Sequence, residues 1–112
     1  MQADTLERIK SQIAASPLLV YMKGTPQFPQ CGFSAQVAQI LKLCQVKFDS
    51  VNVLENPDIR QELPKFANWP TFPQVYLKGT LIGGCDIVTE LYESGELQAM
   101  LEQANLTPIQ NI

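Results

Sequence analysis

Cys31 stands in the run Thr25 to Gln36, TPQFPQCGFSAQ, after a proline-rich loop and before an amphipathic pattern. Three residues on, where a CxxC redox pair places its second thiol, the chain has Ser34. A cysteine is a nucleophile or a metal ligand only as thiolate, and its usual pKa of about 8.5 falls where the unpaired N–H groups of a helix N-terminus lend partial positive charge. Cys31 is expected at such a terminus, with Lys23 near enough to add a full charge. Polar Gln30 and small Gly32 beside it favour an open, reactive thiol over one that only packs. Cys44, by contrast, falls on an apolar helical stripe and reads as core.

The rest of the composition narrows the chemistry. The cysteines at 31, 44 and 85 form no CxxC pair, which speaks against a disulfide framework and for a reducing compartment, so a cytoplasmic protein is expected. There is no histidine, which removes Ser-His-Asp triads, Cys-His dyads and HExxH zinc helices. Phosphate-binding glycine loops are absent too. A net charge of −3 with 8 scattered basic residues argues against a nucleic-acid partner. The polar start MQADTLERIKSQ and the lack of a long apolar run argue against a signal peptide or a membrane span. At 112 residues and 46% hydrophobic content, one domain over 1–112 is expected.

To hold Cys31 at a helix start, the chain must deliver a strand and a turn ahead of it. Asp4 and Glu7 have capping-box spacing, and Leu6, Ile9 and Ile13 recur at helical period until Ser16-Pro17, predicting a first helix. LLVYM, from Leu18 to Met22, predicts a buried strand. Phe33, Val37, Ile40, Leu41 and Cys44 then form one stripe of the helix after Cys31, with Gln36, Gln39 and Lys42 opposite. Val46 to Val53 predicts a second strand, and Asn56-Pro57 opens a short helix to about Leu63, where Pro64 disturbs it. QVYLK and TLIGG around Lys78-Gly79 predict an antiparallel hairpin. Asp86 caps a helix that Gly95 stops, and Glu96 to Ala104 forms the last one. The order α-β-α-β-α-β-β-α-α gives an α/β fold with a small four-stranded mixed sheet flanked by helices. Phe66 and Trp69 read as core aromatics. The tail from Asn105, with its Asn105-Leu106-Thr107 sequon, carries no signal.

Cys31-Gly32-Phe33-Ser34 resembles the CGFS signature of the monothiol glutaredoxins. Lys23, WPTFPQ (Trp69 to Gln74) and GGCD (Gly83 to Asp86) are similar to the family's other marks, in order and spacing, from about Leu6 to Leu101. The likeness is to the short single-domain bacterial form. It implies a thioredoxin-like fold, in agreement with the element order. It also implies a cis Phe72-Pro73 bond beside Cys31, where the residues alone allow a trans proline at a strand edge.

Glutathione carries two carboxylates, an amine and a thiol, so its site needs charges of both signs along a groove. The resemblance implies that Cys31 is the reactive thiol and that Lys23, Arg60, Phe72, Cys85 and Asp86 bind glutathione. Lys23 and Arg60 would hold the glycyl carboxylate, and the Phe72 backbone would pair with the cysteinyl unit in strand fashion. The Cys85 and Asp86 N–H groups would take the γ-glutamyl carboxylate while the Asp86 side chain meets the amine, with Gly83 and Gly84 allowing close approach. Without the resemblance, Arg60 reads as a solvated helix charge, Asp86 as an N-cap and Cys85 as a small apolar residue beside a turn.

Ser34 cannot resolve a mixed disulfide, which leaves Cys31 two uses. It can attack a glutathionylated substrate, a second glutathione resolving the intermediate, as a glutathione-dependent oxidoreductase. Alternatively, it can persist as thiolate and ligate metal. A [2Fe–2S] cluster takes four thiolates or equivalent ligands. If Cys31 and one bound glutathione come from each protomer, two protomers complete that set. The resemblance implies this second use: a homodimer bridged by the cluster, storage of the cluster and its transfer to iron–sulfur acceptor proteins, a BolA-like protein as a further partner, and weak or no oxidoreductase activity. A non-enzymatic adaptor with an incidental thiol is a third reading. Cys85, beside the groove, would form a disulfide with Cys31 under oxidation if their Cα atoms come within about 7 Å.

Overall fold

The structure is a computed structural model that describes residues 3–106. The elements are α1 (Ala3–Ala15), β1 (Leu18–Met22), α2 (Gly32–Leu43), β2 (Asp49–Asn52), α3 (Pro57–Ala67), β3 (Gln74–Leu77), β4 (Thr80–Gly83), α4 (Cys85–Ser94) and α5 (Glu96–Gln103). The strands lie in the order β2-β1-β3-β4. β1 and β2 run parallel, with Val20 opposite Ser50, while β3 is antiparallel to both β1 and β4. Thr107 of the sequon lies outside the described residues.

β1 is buried along its whole length because helices cover both faces of the sheet, which is why its sequence is a continuous apolar run rather than an alternation. Leu18, Val20 and Met22 pack with Val37, Leu41, Val88 and Leu97 of α2, α4 and α5. Leu19 and Tyr21 pack with Ile9, Ile13, Ile59 and Leu63 of α1 and α3. Each such side chain contributes on the order of 1.5–3 kcal/mol by leaving water. With β1 locked between two cores, its C-terminal end is a fixed point, and Lys23 follows at once.

Four local expectations change. Asp4 lies inside the first turn of α1, where its charge suits the positive end of the helix, instead of capping it. β2 is limited to Asp49–Asn52; Val46 and Val53 are buried, but as core residues flanking the paired segment. α3 runs through Pro64 to Ala67: the proline forfeits its own N–H bond and crowds the preceding turn, but the buried Ile59 and Leu63 hold the helix on the core. Asn68, left-handed at φ 51°, closes that helix with its N–H on the Lys65 carbonyl, while Trp69 N–H bonds the Pro64 carbonyl. Phe33 is off the buried stripe and 61% exposed, while Ser34 takes the inward place with Val37, Ala38 and Leu41. Those positions are spaced i, i+3, i+4, i+7, one helical face. At the hairpin both Lys78 and Gly79 have positive φ, the two-residue turn that Lys-Gly predicts.

Candidate functional site

Beyond β1 the chain makes a tight loop that delivers Cys31 to α2. Gly24 is required there: its φ is +90°, and a Cβ would lie 2.5 Å from the Phe28 carbonyl oxygen. A bridge between Gly24 and Pro29 and a Gln30 N–H bond to the Lys23 carbonyl at 2.9 Å close the loop. Lys42, from the last turn of α2, straps it by donating to the Pro26 carbonyl at 2.8 Å. Cys31 is thereby the N-cap of α2, with extended φ −156° and ψ 137°, and its carbonyl accepts the Ala35 N–H at 2.9 Å.

In that position the sulfur stands at the N-terminal end of α2, where the N–H groups of the first turn are free of intrahelical partners. The Cys31 thiol is held below the usual thiol range, first by the Ser34 backbone N–H. Partial burial opposes it as the next-largest influence, and the Phe33 N–H, the Ser34 hydroxyl and the Lys23 charge, each weaker, act with the Ser34 N–H. Ser34 itself has no exposed surface, and its Oγ accepts the Lys23 N–H at 3.1 Å. The residue in the place of a second thiol therefore ties the end of β1 to the start of α2.

Lys23, Cys31, Arg60, Phe72, Cys85 and Asp86 all line one cleft of about 760 Å³. α3 contributes Arg60 and, one turn on, Pro64. α3 is pinned to α1 by Asp58, which accepts from the Thr5 hydroxyl at 2.8 Å and pairs with Arg8. The Asn52 side chain joins the Gly24 loop to the turn after β2: Oδ1 accepts the N–H groups of Gly24 and Leu54 at 2.9 and 3.0 Å, and Nδ2 donates to Glu55. Asn56 Nδ2 in turn donates to the Asn52 carbonyl at 2.9 Å. The Phe72-Pro73 bond is cis, and both residues lie on the cleft wall.

The start of α4 supplies the remaining wall and several corrections. Gly84 is the N-cap, so Asp86 lies in the first turn and not at the cap. Gly83 and Gly84 answer to internal packing: a Cβ on Gly83 would lie 2.7 Å from the Ile87 side chain, and one on Gly84 would lie 3.0 Å from the Pro73 carbonyl. Close approach of a ligand is not needed to explain either. The Cys85 thiol is pushed up, first by burial, then by the charges of Asp86 and Cys31, with a Thr89 hydrogen bond opposing. Cys44 is buried, as its stripe predicts. Trp69 is a cleft residue instead of core, and Phe66 is 43% exposed. The signal was present for Trp69: it sits between a helix-closing asparagine and Pro70, on a loop.

A glutaredoxin family model matches residues 18–82. Glutaredoxin 4 of Escherichia coli (strain K12) is 58% identical over 99 residues, covering 88% of this chain and 86% of that protein. The solution structure of a monomeric truncated mutant of Trypanosoma brucei 1-C-Grx1 superposes with TM-score 0.84 at 31% identity, covering 94% of this chain and 96% of that one. The crystal structure of a buckwheat glutaredoxin–glutathione complex has the same fold, with TM-score 0.81 at 23% identity over 93% of each chain. The chain belongs to the glutaredoxin family, and its fold is thioredoxin-like. Within that family it is similar to the bacterial glutaredoxin 4 proteins and is monothiol, with Ser34 in the second position of the CxxC spacing.

Proposed function

We propose that this chain binds glutathione in the cleft and carries a [2Fe–2S] cluster as cargo between two copies of itself, for storage and for delivery to iron–sulfur acceptor proteins. One pairing carries the reading: a partly exposed Cys31 with a lowered pKa, and a buried, hydrogen-bonded Ser34 where a resolving thiol would have to stand. A persistent thiolate suits ligation better than disulfide exchange. Among the described residues no three His, Cys, Asp or Glu side chains converge as a metal set. A cluster on this chain would therefore take donors from outside it. Cys31 and a bound glutathione thiolate, each contributed twice, supply the four thiolates that such a cluster takes. A BolA-like protein would take the place of the second copy. The reducing cytoplasm supplies the glutathione.

The cleft chemistry supports the ligand. Lys23 and Arg60 would hold the glycyl carboxylate. The Phe72 backbone would pair with the cysteinyl unit, and the first-turn N–H groups of α4 at Cys85 and Asp86 would take the γ-glutamyl carboxylate. The buckwheat protein of the same fold binds the same tripeptide.

Anaerobic reconstitution with and without glutathione tests the reading. The expected product is a dimer whose iron and glutathione contents are equal and whose visible absorption band needs glutathione. No such band, together with brisk turnover of a small glutathionylated disulfide, overturns it in favour of the oxidoreductase. There the Cys31 thiolate would attack the glutathionyl sulfur and expel the substrate as thiolate. A second glutathione thiolate would then attack the protein–glutathione disulfide, releasing Cys31 and oxidised glutathione.

A further inference from the structure

The cleft wall that carries Phe72 is held from beneath by one buried amide. Gln74, the first residue of β3, has no exposed surface, yet its side chain is fully partnered. Nε2 donates to the Trp69 carbonyl at 3.0 Å and the Thr71 carbonyl at 3.3 Å, and Oε1 accepts the Tyr76 hydroxyl at 3.0 Å. Burying an amide is unfavourable unless each group is satisfied, so an apolar residue would fill this place with fewer demands. The amide's distinctive effect is to turn two carbonyls of the segment between α3 and β3 inward, which fixes the path of the backbone leading into Phe72.

The support continues on both sides. Behind Gln74, the Tyr76 ring meets Tyr21 edge-on with centroids 5.7 Å apart, and the Tyr21 hydroxyl donates to Gln12 Oε1 of α1 at 2.8 Å. Burial pushes the Tyr76 hydroxyl up to about 12, so it stays a donor at neutral pH. In front, the Trp69 indole nitrogen packs so closely on Gly84 that an added Cβ would lie 3.3 Å from it. The segment is thus held between an amide below and the start of α4 beside it.

We infer that Gln74 is a positioning residue for glutathione: by holding the Trp69 and Thr71 carbonyls, it sets the Phe72 backbone at the height from which the tripeptide is gripped. The inference rests on the reading that this cleft binds glutathione. Gln74→Met keeps roughly the volume and removes both donors; Tyr76→Phe keeps the ring and removes one support, and serves if the first variant folds poorly. Calorimetry with reduced glutathione is expected to show about tenfold weaker binding for Gln74→Met and a smaller loss for Tyr76→Phe. The pH profile of Cys31 alkylation by iodoacetamide should not move, because the donors to that sulfur lie in α2.

Trp69 is the only tryptophan of the chain, so its emission reports the segment without any ligand, and it is expected to shift in Gln74→Met. Binding within twofold of wild type in both variants, with Trp69 emission unmoved, overturns the inference. A Cys31 profile displaced together with weaker binding also overturns it, since that marks general loosening. If the wild-type protein takes up no glutathione while Gln74→Met still moves the Trp69 emission, the reading of the cleft fails and the structural role of Gln74 stands.

Discussion

Cys31 and Cys85 share one cleft, and each stands where a helix begins, yet their thiols are driven in opposite directions. Cys31 is the N-cap of α2, and the backbone N–H groups of Ser34 and Phe33 in the first turn lower its pKa. Cys85 is one place further along, the first residue of α4 after its Gly84 cap. It meets burial and the charge of Asp86 instead. The positive end of a helix is therefore not a general property of its neighbourhood. A shift of one residue along the terminus accompanies the change from a lowered to a raised thiol pKa.

The largest test of this contrast is substitution of each sulfur. Cys31→Ser is expected to abolish the glutathione-dependent absorption band, whereas Cys85→Ser keeps it; an adaptor with an incidental thiol would keep its partner binding in both. Next in size is the difference in acidity. The Cys31 pKa is lowered, so its alkylation rate should climb with pH ahead of an ordinary thiol, whereas Cys85, with its pKa raised, should climb only beyond one. Mass spectrometry of partly alkylated protein across a pH series reads both, and equal profiles would erase the distinction. The smallest effects separate the contributions to Cys31. Ser34→Ala leaves the Lys23 N–H without its acceptor, for an expected loss of about 1 kcal/mol in denaturant unfolding. It should raise the alkylation midpoint only slightly, because the stronger backbone donor remains. Lys23→Gln should raise the midpoint less still, its charge being the weakest of the named influences.

Much of this was legible from sequence where a local rule sets local structure. The Pro17 and Gly24 limits of β1, the Lys78-Gly79 turn and the Gly95 stop all follow from backbone preferences of single residues. The six residues named for the site from the family likeness do converge on one cleft. The failures share a different origin. Val37, Ile40, Leu41 and Cys44 keep the expected stripe, but Phe33, in the first turn, faces the open cleft and Ser34 takes the inward place, which the helical period alone does not show. The packing of Gly84 on Trp69 joins residues distant in the chain, and the inward amide of Gln74 looks like any polar residue until the carbonyls it holds are placed. Pro64 disfavours helix by its propensity, but tertiary packing of Ile59 and Leu63 overrides it.

The Asn52 side chain has a consequence for the spacing of charge. It grips Gly24, next to Lys23, while the backbone carbonyl of the same residue holds the Asn56 side chain, and the Arg60 N–H bonds the Asn56 carbonyl at 3.0 Å. The two cations need not touch each other or share a counter-ion for the stretches of chain that bear them to keep their separation. Two neutral amides, those of Asn52 and Asn56, act as the gauge, so the spacing of these two positive charges is written in uncharged hydrogen bonds that salt does not screen.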